Sequence, residues 1–155
     1  MEQRFQYDYA HHGGMQALLA MEQHLADCTL EAGLIHLVKM RASQINGCAY
    51  CLDMHSKDAR AGGEDEQRLY LLSGWREAPC YSERERAALA WTEAVTRVAD
   101  THVPDDVYQQ VRRHFSTDEL IDLNFVIVAI NSWNRLVISA RVPAGSYQPE
   151  TDAST

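Results

Sequence analysis

Two cysteines and a histidine stand in "GCAYCLDMH", residues 47–55: Cys48, Cys51 and His55. Residues three and four apart share one face of a helix, with Cβ atoms about 5–6 Å apart. Cysteines at this spacing close a disulfide with little backbone movement. Cys48 is expected in the first turn, where free N–H groups and the helix dipole favour thiolate over thiol. Cys51 lies one turn before His55, whose neutral imidazole can take its proton. The two thiols therefore have different routes to activation, and exchange chemistry needs one attacking and one resolving thiol. Cys51 is the expected attacker because His55 is its nearest base, although the first-turn position speaks for Cys48.

Zinc is the rival chemistry. Two thiolates and one imidazole are three ligands, and His36 on the preceding helix offers a fourth. Against it, zinc pairs usually lie in knuckles or loops, and the chain has no second C-x-x-C. Cys28 and Cys80, each alone in sequence, read as small buried hydrophobes.

The elements that position these residues are helical. Apolar residues recur at helical spacing and strand signals are weak, which predicts an all-α, single-domain bundle of six to seven helices. The predicted helices run over about 14–26, 30–44 and 47–61, with Asn46 as the N-cap of the third and Gly62–Gly63 as its stop. "EDEQRLYLLSGW" gives a shorter helix. Ser82 with Glu85, and Ser116 with Glu119, have the spacing of capping boxes. They open helices to about Ala99 and about Arg141, and Pro104 opens one between them in a first-turn position. The helical domain is expected to cover residues 1–142, and 143–155 to form a flexible tail, mobile or draped on a neighbour.

Among the other side chains, Trp91 and Trp133 read as core. Tyr50 either packs or walls a pocket. His11 and His12 read as surface, and Asp53 and Asp58 as solvated helix charges. Asn131, Asn134 and Arg135 are polar groups in an apolar helix and must find partners there. They are expected to brace the cysteine helix or a subunit contact.

Composition narrows the function classes. The 155 residues suit one domain with a real core. The formal net charge of −8 argues against general affinity for nucleic acid or anionic lipid. The longest apolar run, "LNFVIVAINSW", is interrupted by Asn124 and Asn131 and falls short of the roughly 20 residues a membrane span needs. No signal-peptide core is visible at the N-terminus, so a cytoplasmic protein is expected, and in that compartment a close cysteine pair is catalytic or metal-binding more often than structural. "AGGE" and "HHGG" lack the flanking strand of a phosphate loop, and no nucleotide, flavin or other cofactor is expected.

The runs "KMRASQINGCAYCLDMHSKDAR", "ERERAALAWTEAVT" and "ELIDLNFVIVAINSWNRL" resemble, in order and over most of residues 30–140, the AhpD-like branch of the carboxymuconolactone decarboxylase family. The resemblance implies an all-helical fold, assembly as a homo-oligomer (trimer or hexamer), and a thiol-dependent peroxidase or disulfide reductase. The substrate it implies is a hydroperoxide or disulfide, and a dithiol or protein reductant restores the pair. It also implies that Cys48 and Cys51 cycle between dithiol and disulfide, and that His55 belongs to a proton relay. Two positions depart from the family pattern. The relay glutamate twelve residues before the first cysteine is His36 here, and the histidine before the second cysteine is Tyr50. Histidine can act as a base but holds no fixed negative charge, so the relay is slowed, lost, or served by another carboxylate such as Glu31 or Glu85. The decarboxylases of the family do not depend on a C-x-x-C pair, which makes that reaction the weaker expectation. The alternatives of another class are a non-enzymatic redox-sensing or binding oligomer and a zinc-stabilised helical module.

Overall fold

A computed structural model describes residues 2–149. Among them are eight α-helices and no strand, which agrees with the all-α expectation. They are α1 (Gly13–Ala26), α2 (Ala32–Asn46), α3 (Ala49–Ala61), α4 (Glu66–Leu71), α5 (Glu83–Thr96), α6 (Val98–Thr101), α7 (Asp105–Val111) and α8 (Thr117–Ala140). The single helix expected from Ser82 to Ala99 breaks at Arg97, whose backbone leaves the helical region at φ −102°, ψ 35°, and the short α6 follows. Pro104 sits one place earlier than expected, as the N-cap of α7.

Both predicted capping boxes are formed. Ser82 and Ser116 each accept the N–H of the glutamate three residues on, and Glu85 and Glu119 each accept the N–H of the serine. Two of the four free N–H groups of each helix end are thereby satisfied. α2 lies at the centre, with α3, α5 and α8 packed around it, α1 against α8, and α7 against α5. One apolar cluster joins Leu34 and Val38 of α2 to Trp91 of α5 and Leu123 and Ile127 of α8. A second gathers Leu37, Met40, Leu72, Trp75 and Leu89. A third, smaller one holds Ala42, Cys48, Cys51, Ile130 and Val137 between α2, α3 and α8. Each fully buried Leu or Ile contributes about 1.5–3 kcal/mol, so α2 and α8 are the structural spine.

α8 is long and apolar enough, by length and composition, to cross a membrane. Asn124 and Asn131 interrupt its apolar run. Here those side chains bond to other helices, and one face of α8 builds the core. Residues 2–9 run along α8, where the Arg4 N–H donates to the Ala140 carbonyl at 2.9 Å and the Tyr9 ring stacks on Trp133. Residues 143–149 lie on α3. There the Gly145 N–H donates to Asp53 at 3.1 Å, Lys57 donates to the Tyr147 carbonyl at 2.9 Å, and the Tyr147 hydroxyl donates to Asp58 at 2.7 Å. The remainder of the expected tail, 150–155, lies outside the described residues.

Candidate functional site

The turn between α2 and α3 corrects one expectation. Asn46 is not the N-cap of α3; it is the last residue of α2. Gly47 takes the left-handed C-cap conformation, φ 72°, which glycine adopts without strain, and its N–H closes on the Ser43 carbonyl. The chain needs only one more residue before α3 begins, so Cys48 becomes the N-cap. Its Sγ accepts the Cys51 N–H with N···S at 3.4 Å.

Asn46 is released to do something else. Its amide donates to Asn131 at 3.0 Å and to Asn134 at 2.8 Å, both on α8. Asn134, fully buried, donates in turn to the Ser43 hydroxyl at 3.0 Å. Asn131 also donates to Thr96, and Arg135 donates back to Asn131. The polar groups in α8 thus brace the α2–α3 junction from below.

Cys48 and Cys51 are paired as a disulfide with Cα atoms 5.4 Å apart. Cys48 is fully buried, while Cys51 forms part of the wall of a cavity of about 440 Å³ together with His55, Tyr50, Lys39, Trp133 and Tyr9. Cys48 is not part of that wall. Tyr50 therefore walls the pocket. Trp133, read as core, is half-buried on the same wall, whereas Trp91 is core and donates to Asn124. The cavity has the size of a small-molecule site and is mostly apolar.

His55 is buried, and its pKa is pushed down to about 3, first by loss of hydration and then by the charges of Lys39 and His36. The ring is therefore neutral at neutral pH. Among the described residues its Nδ1 has no hydrogen-bond partner, and a carboxylate oxygen of Asp58 is 3.9 Å away. Asp58 is mostly covered and accepts the Tyr147 hydroxyl. His36 lies beside His55 with ring centroids 6.4 Å apart, and among the described residues its Nδ1 also lacks a partner. Burial lowers its pKa, with Asp58 opposing and Lys39 reinforcing the shift. The four residues singled out in the sequence, Cys48, Cys51, His55 and His36, thus converge on one region between α2 and α3.

The carboxylates suggested in place of the relay glutamate do not. Glu31 is paired with Arg84 and Glu85 with Arg68, and both line a different cavity. The carboxylate on the cysteine cavity is Glu22 of α1, which sequence reading missed. It accepts from Lys39 Nζ at 2.5 Å and from Trp133 Nε1 at 3.0 Å. Lys39 was missed as well, although a lysine between the buried Val38 and Met40 was a visible signal. Glu22 and Lys39 also line a second cavity that contains His36, so the ion pair forms a wall common to both. Among the described residues, no group of three or more His, Cys, Asp and Glu side chains is placed to hold a metal ion.

Comparisons with known proteins agree with this architecture. Residues 14–94 match the carboxymuconolactone decarboxylase family. The chain is 42% identical over 139 residues to YdfG of Bacillus subtilis, an uncharacterised protein, covering 90% of this chain and 95% of the relative. The crystal structure of a protein of unknown function from Agrobacterium tumefaciens, named as a candidate antioxidant defence protein AhpD, superposes with a TM-score of 0.90. It is 43% identical, over 94% of this chain and 100% of that one. The debrominase Bmp8 shares the fold alone, with a TM-score of 0.77 at 20% identity over 85% of this chain and 71% of its own. On the matched residues, the helical order and the whole-chain likeness to these relatives, the chain belongs to the carboxymuconolactone decarboxylase family, in its AhpD-like branch.

Proposed function

We propose that the protein is a thiol oxidoreductase of the alkylhydroperoxidase type that reduces hydroperoxides, or disulfides, in antioxidant defence. The observation that carries this reading is the Cys48–Cys51 pair with only Cys51 on the wall of an apolar cavity. That asymmetry supports Cys51 as the attacking thiol and Cys48 as the resolving one.

The Cys51 thiolate attacks the terminal oxygen of R–O–O–H. The O–O bond breaks, Cys51 becomes a sulfenic acid, and the alkoxide takes a proton and leaves as an alcohol. The Cys48 thiol then attacks the sulfenic sulfur, the S–S bond forms and water departs. A dithiol reductant exchanges with that disulfide and is itself oxidised, returning both thiols.

His55 serves this cycle as a relay rather than a reservoir. A buried imidazole that is neutral at pH 7 can accept the thiol proton, but its low pKa means that it passes the proton on at once. Asp58 and His36 are the groups beside it. His36 occupies the position of the family glutamate, and we propose that it takes part in this relay. Cycling with a dithiol fits a reducing, cytoplasmic setting. A homo-oligomer, trimer or hexamer, is supported by the exposed side chains Ile121, Phe125 and Val128, which share one face of α8.

The test is peroxide consumption with a dithiol reductant, together with trapping of sulfenic acid by a cyclic diketone. Turnover abolished in Cys51→Ser, with the adduct forming at Cys51 in Cys48→Ser, is the expected result. Oxidation of the wild type once per chain without turnover would replace the enzyme by a redox sensor. An adduct at Cys48 in Cys51→Ser, and none at Cys51 in Cys48→Ser, would reverse the roles of the two thiols. A light-scattering mass near the single-chain 17.6 kDa would remove the oligomer.

A further inference from the structure

We infer that Lys39, held in place by Glu22 and Trp133, is the positive charge that favours the Cys51 thiolate. This rests on the reading of Cys51 as the reacting thiol, and it assigns the activating charge to a residue outside the C-x-x-C helix.

The cavity wall carries two charged side chains, Lys39 and Glu22. A thiolate in an apolar cavity needs a nearby cation or a set of donors, because burial otherwise favours the thiol. His55 is not that cation, since its buried ring stays neutral at neutral pH. At the start of α3 the Cys51 N–H is directed at the sulfur of Cys48, which is the N-cap; Cys51 is the third residue of the helix.

Lys39 is placed to fill the role. It lies on α2, the helix packed against α3, and only 8% of it is exposed. Glu22 lies on the outer helix α1, and its side chain is 27% exposed, against 10% for that of Lys39. The ammonium is therefore the inner member of the pair and the carboxylate the outer one. The charge of Lys39 reaches as far as His55 and His36, which it helps to keep neutral. Isolated burial of an ammonium is costly, and Glu22 offsets that cost while Trp133 fixes the second carboxylate oxygen. Lys39 acts through Cys51 and is thus a positioning residue for charge.

The other titratable groups around the site are Tyr9 from the N-terminal segment, Glu22 on α1, His36 on α2, and Tyr50, His55 and Asp58 on α3. From α8 the wall receives Ile130, Trp133 and Val137, none of which carries a charge.

The experiment is the pH dependence of Cys51 alkylation by iodoacetamide in reduced protein, located by peptide mass spectrometry. It is run in a Cys48→Ser background, so that Cys51 is the one thiol of the pair that reports; Cys28 and Cys80 are read on their own peptides. Lys39→Met is expected to raise the midpoint by about one pH unit, slowing alkylation at pH 7 about tenfold. Lys39→Arg keeps the midpoint near that of the parent. Glu22→Gln, which removes the neutralising charge, moves it the opposite way, to lower pH. The opposite signs are the discriminating result, because a purely structural pair would shift both variants in the same direction. Same-direction shifts, or an unmoved midpoint in Lys39→Met, overturn the inference. Because alkylation needs no peroxide, the two readings separate. Opposite shifts in a protein that consumes no peroxide would sink the peroxidase and leave the charge assignment standing. Turnover with an unmoved midpoint would do the reverse.

Discussion

The sulfur of Cys48 accepts the backbone N–H of Cys51, so the first cysteine is at once the cap of the helix and the disulfide partner of its third residue. Removing it therefore has two separable effects. In the fully reduced state, Cys48→Ser preserves an acceptor at the N-cap and Cys48→Ala does not. Urea unfolding under reducing conditions is expected to find the alanine variant about 1 kcal/mol less stable than the serine variant. Equal stabilities would mean that the cap contributes nothing.

His55 makes stability depend on pH. Its folded pKa, about 3, lies below the ordinary 6.5 of an unfolded histidine. Between those values the unfolded chain binds the extra proton. The stabilisation is fully present above pH 6.5 and is lost as pH falls toward 3, at about 1.4 kcal/mol per pH unit. Burial of His36 works in the same direction. Denaturant midpoints at pH 7 and pH 5 should differ clearly in the wild type and by a smaller margin in His55→Leu. Parallel losses in both proteins would place the acid sensitivity elsewhere.

Glu93 is a buried carboxylate on α5 that accepts from Trp75 at 2.8 Å, from Arg41 at 2.8 Å and from Arg76 at 2.6 Å. Burial alone would raise its pKa, but these donors hold it below the usual range. Glu93→Ala strips three donors of their acceptor and leaves the partly buried Arg41 without this partner. A loss of about 3 kcal/mol is expected in chemical denaturation. Glu93→Gln, which keeps an acceptor for one donor, should lose less.

The amide network under the cysteine turn gives a fourth test. Asn134→Ala leaves Asn46 short of one acceptor and the Ser43 hydroxyl short of a donor, at a cost of about 1–3 kcal/mol. Hydrogen exchange should rise first at Gly47 and in the opening turn of α3. A uniform rise across the molecule would show that the network supports the bundle as a whole and not that turn.

The contrast between what the sequence disclosed and what it hid follows the range of the interactions. The capping boxes at Ser82 and Ser116 depend on residues three apart, and both formed as spelled. The break at Arg97 had no such marker. The Asn46–Gly47 step was ambiguous because asparagine is a good cap and glycine a good stop. Gly47 took the left-handed conformation, which moved the cap on to Cys48. The convergence of Cys48, Cys51, His55 and His36 followed from helical spacing and from the pairing of neighbouring helices. The Glu22–Lys39–Trp133 group was illegible, because its members come from three helices and each looks ordinary on its own. Only packing α1 and α2 against α8 brings them to one cavity wall.

The segments 2–9 and 143–149 both lie against the cysteine helix or its cavity. Tyr9 forms part of the cavity wall, and Gly145 and Tyr147 are bonded to α3. Chain ends are ordinarily the first parts to fray and the safest places for a label. In this molecule loosening of either segment uncovers the cysteine helix or its cavity. A label attached within either segment is therefore a perturbation of the surroundings of Cys48 and Cys51, and a dye placed there is a sensor of their state.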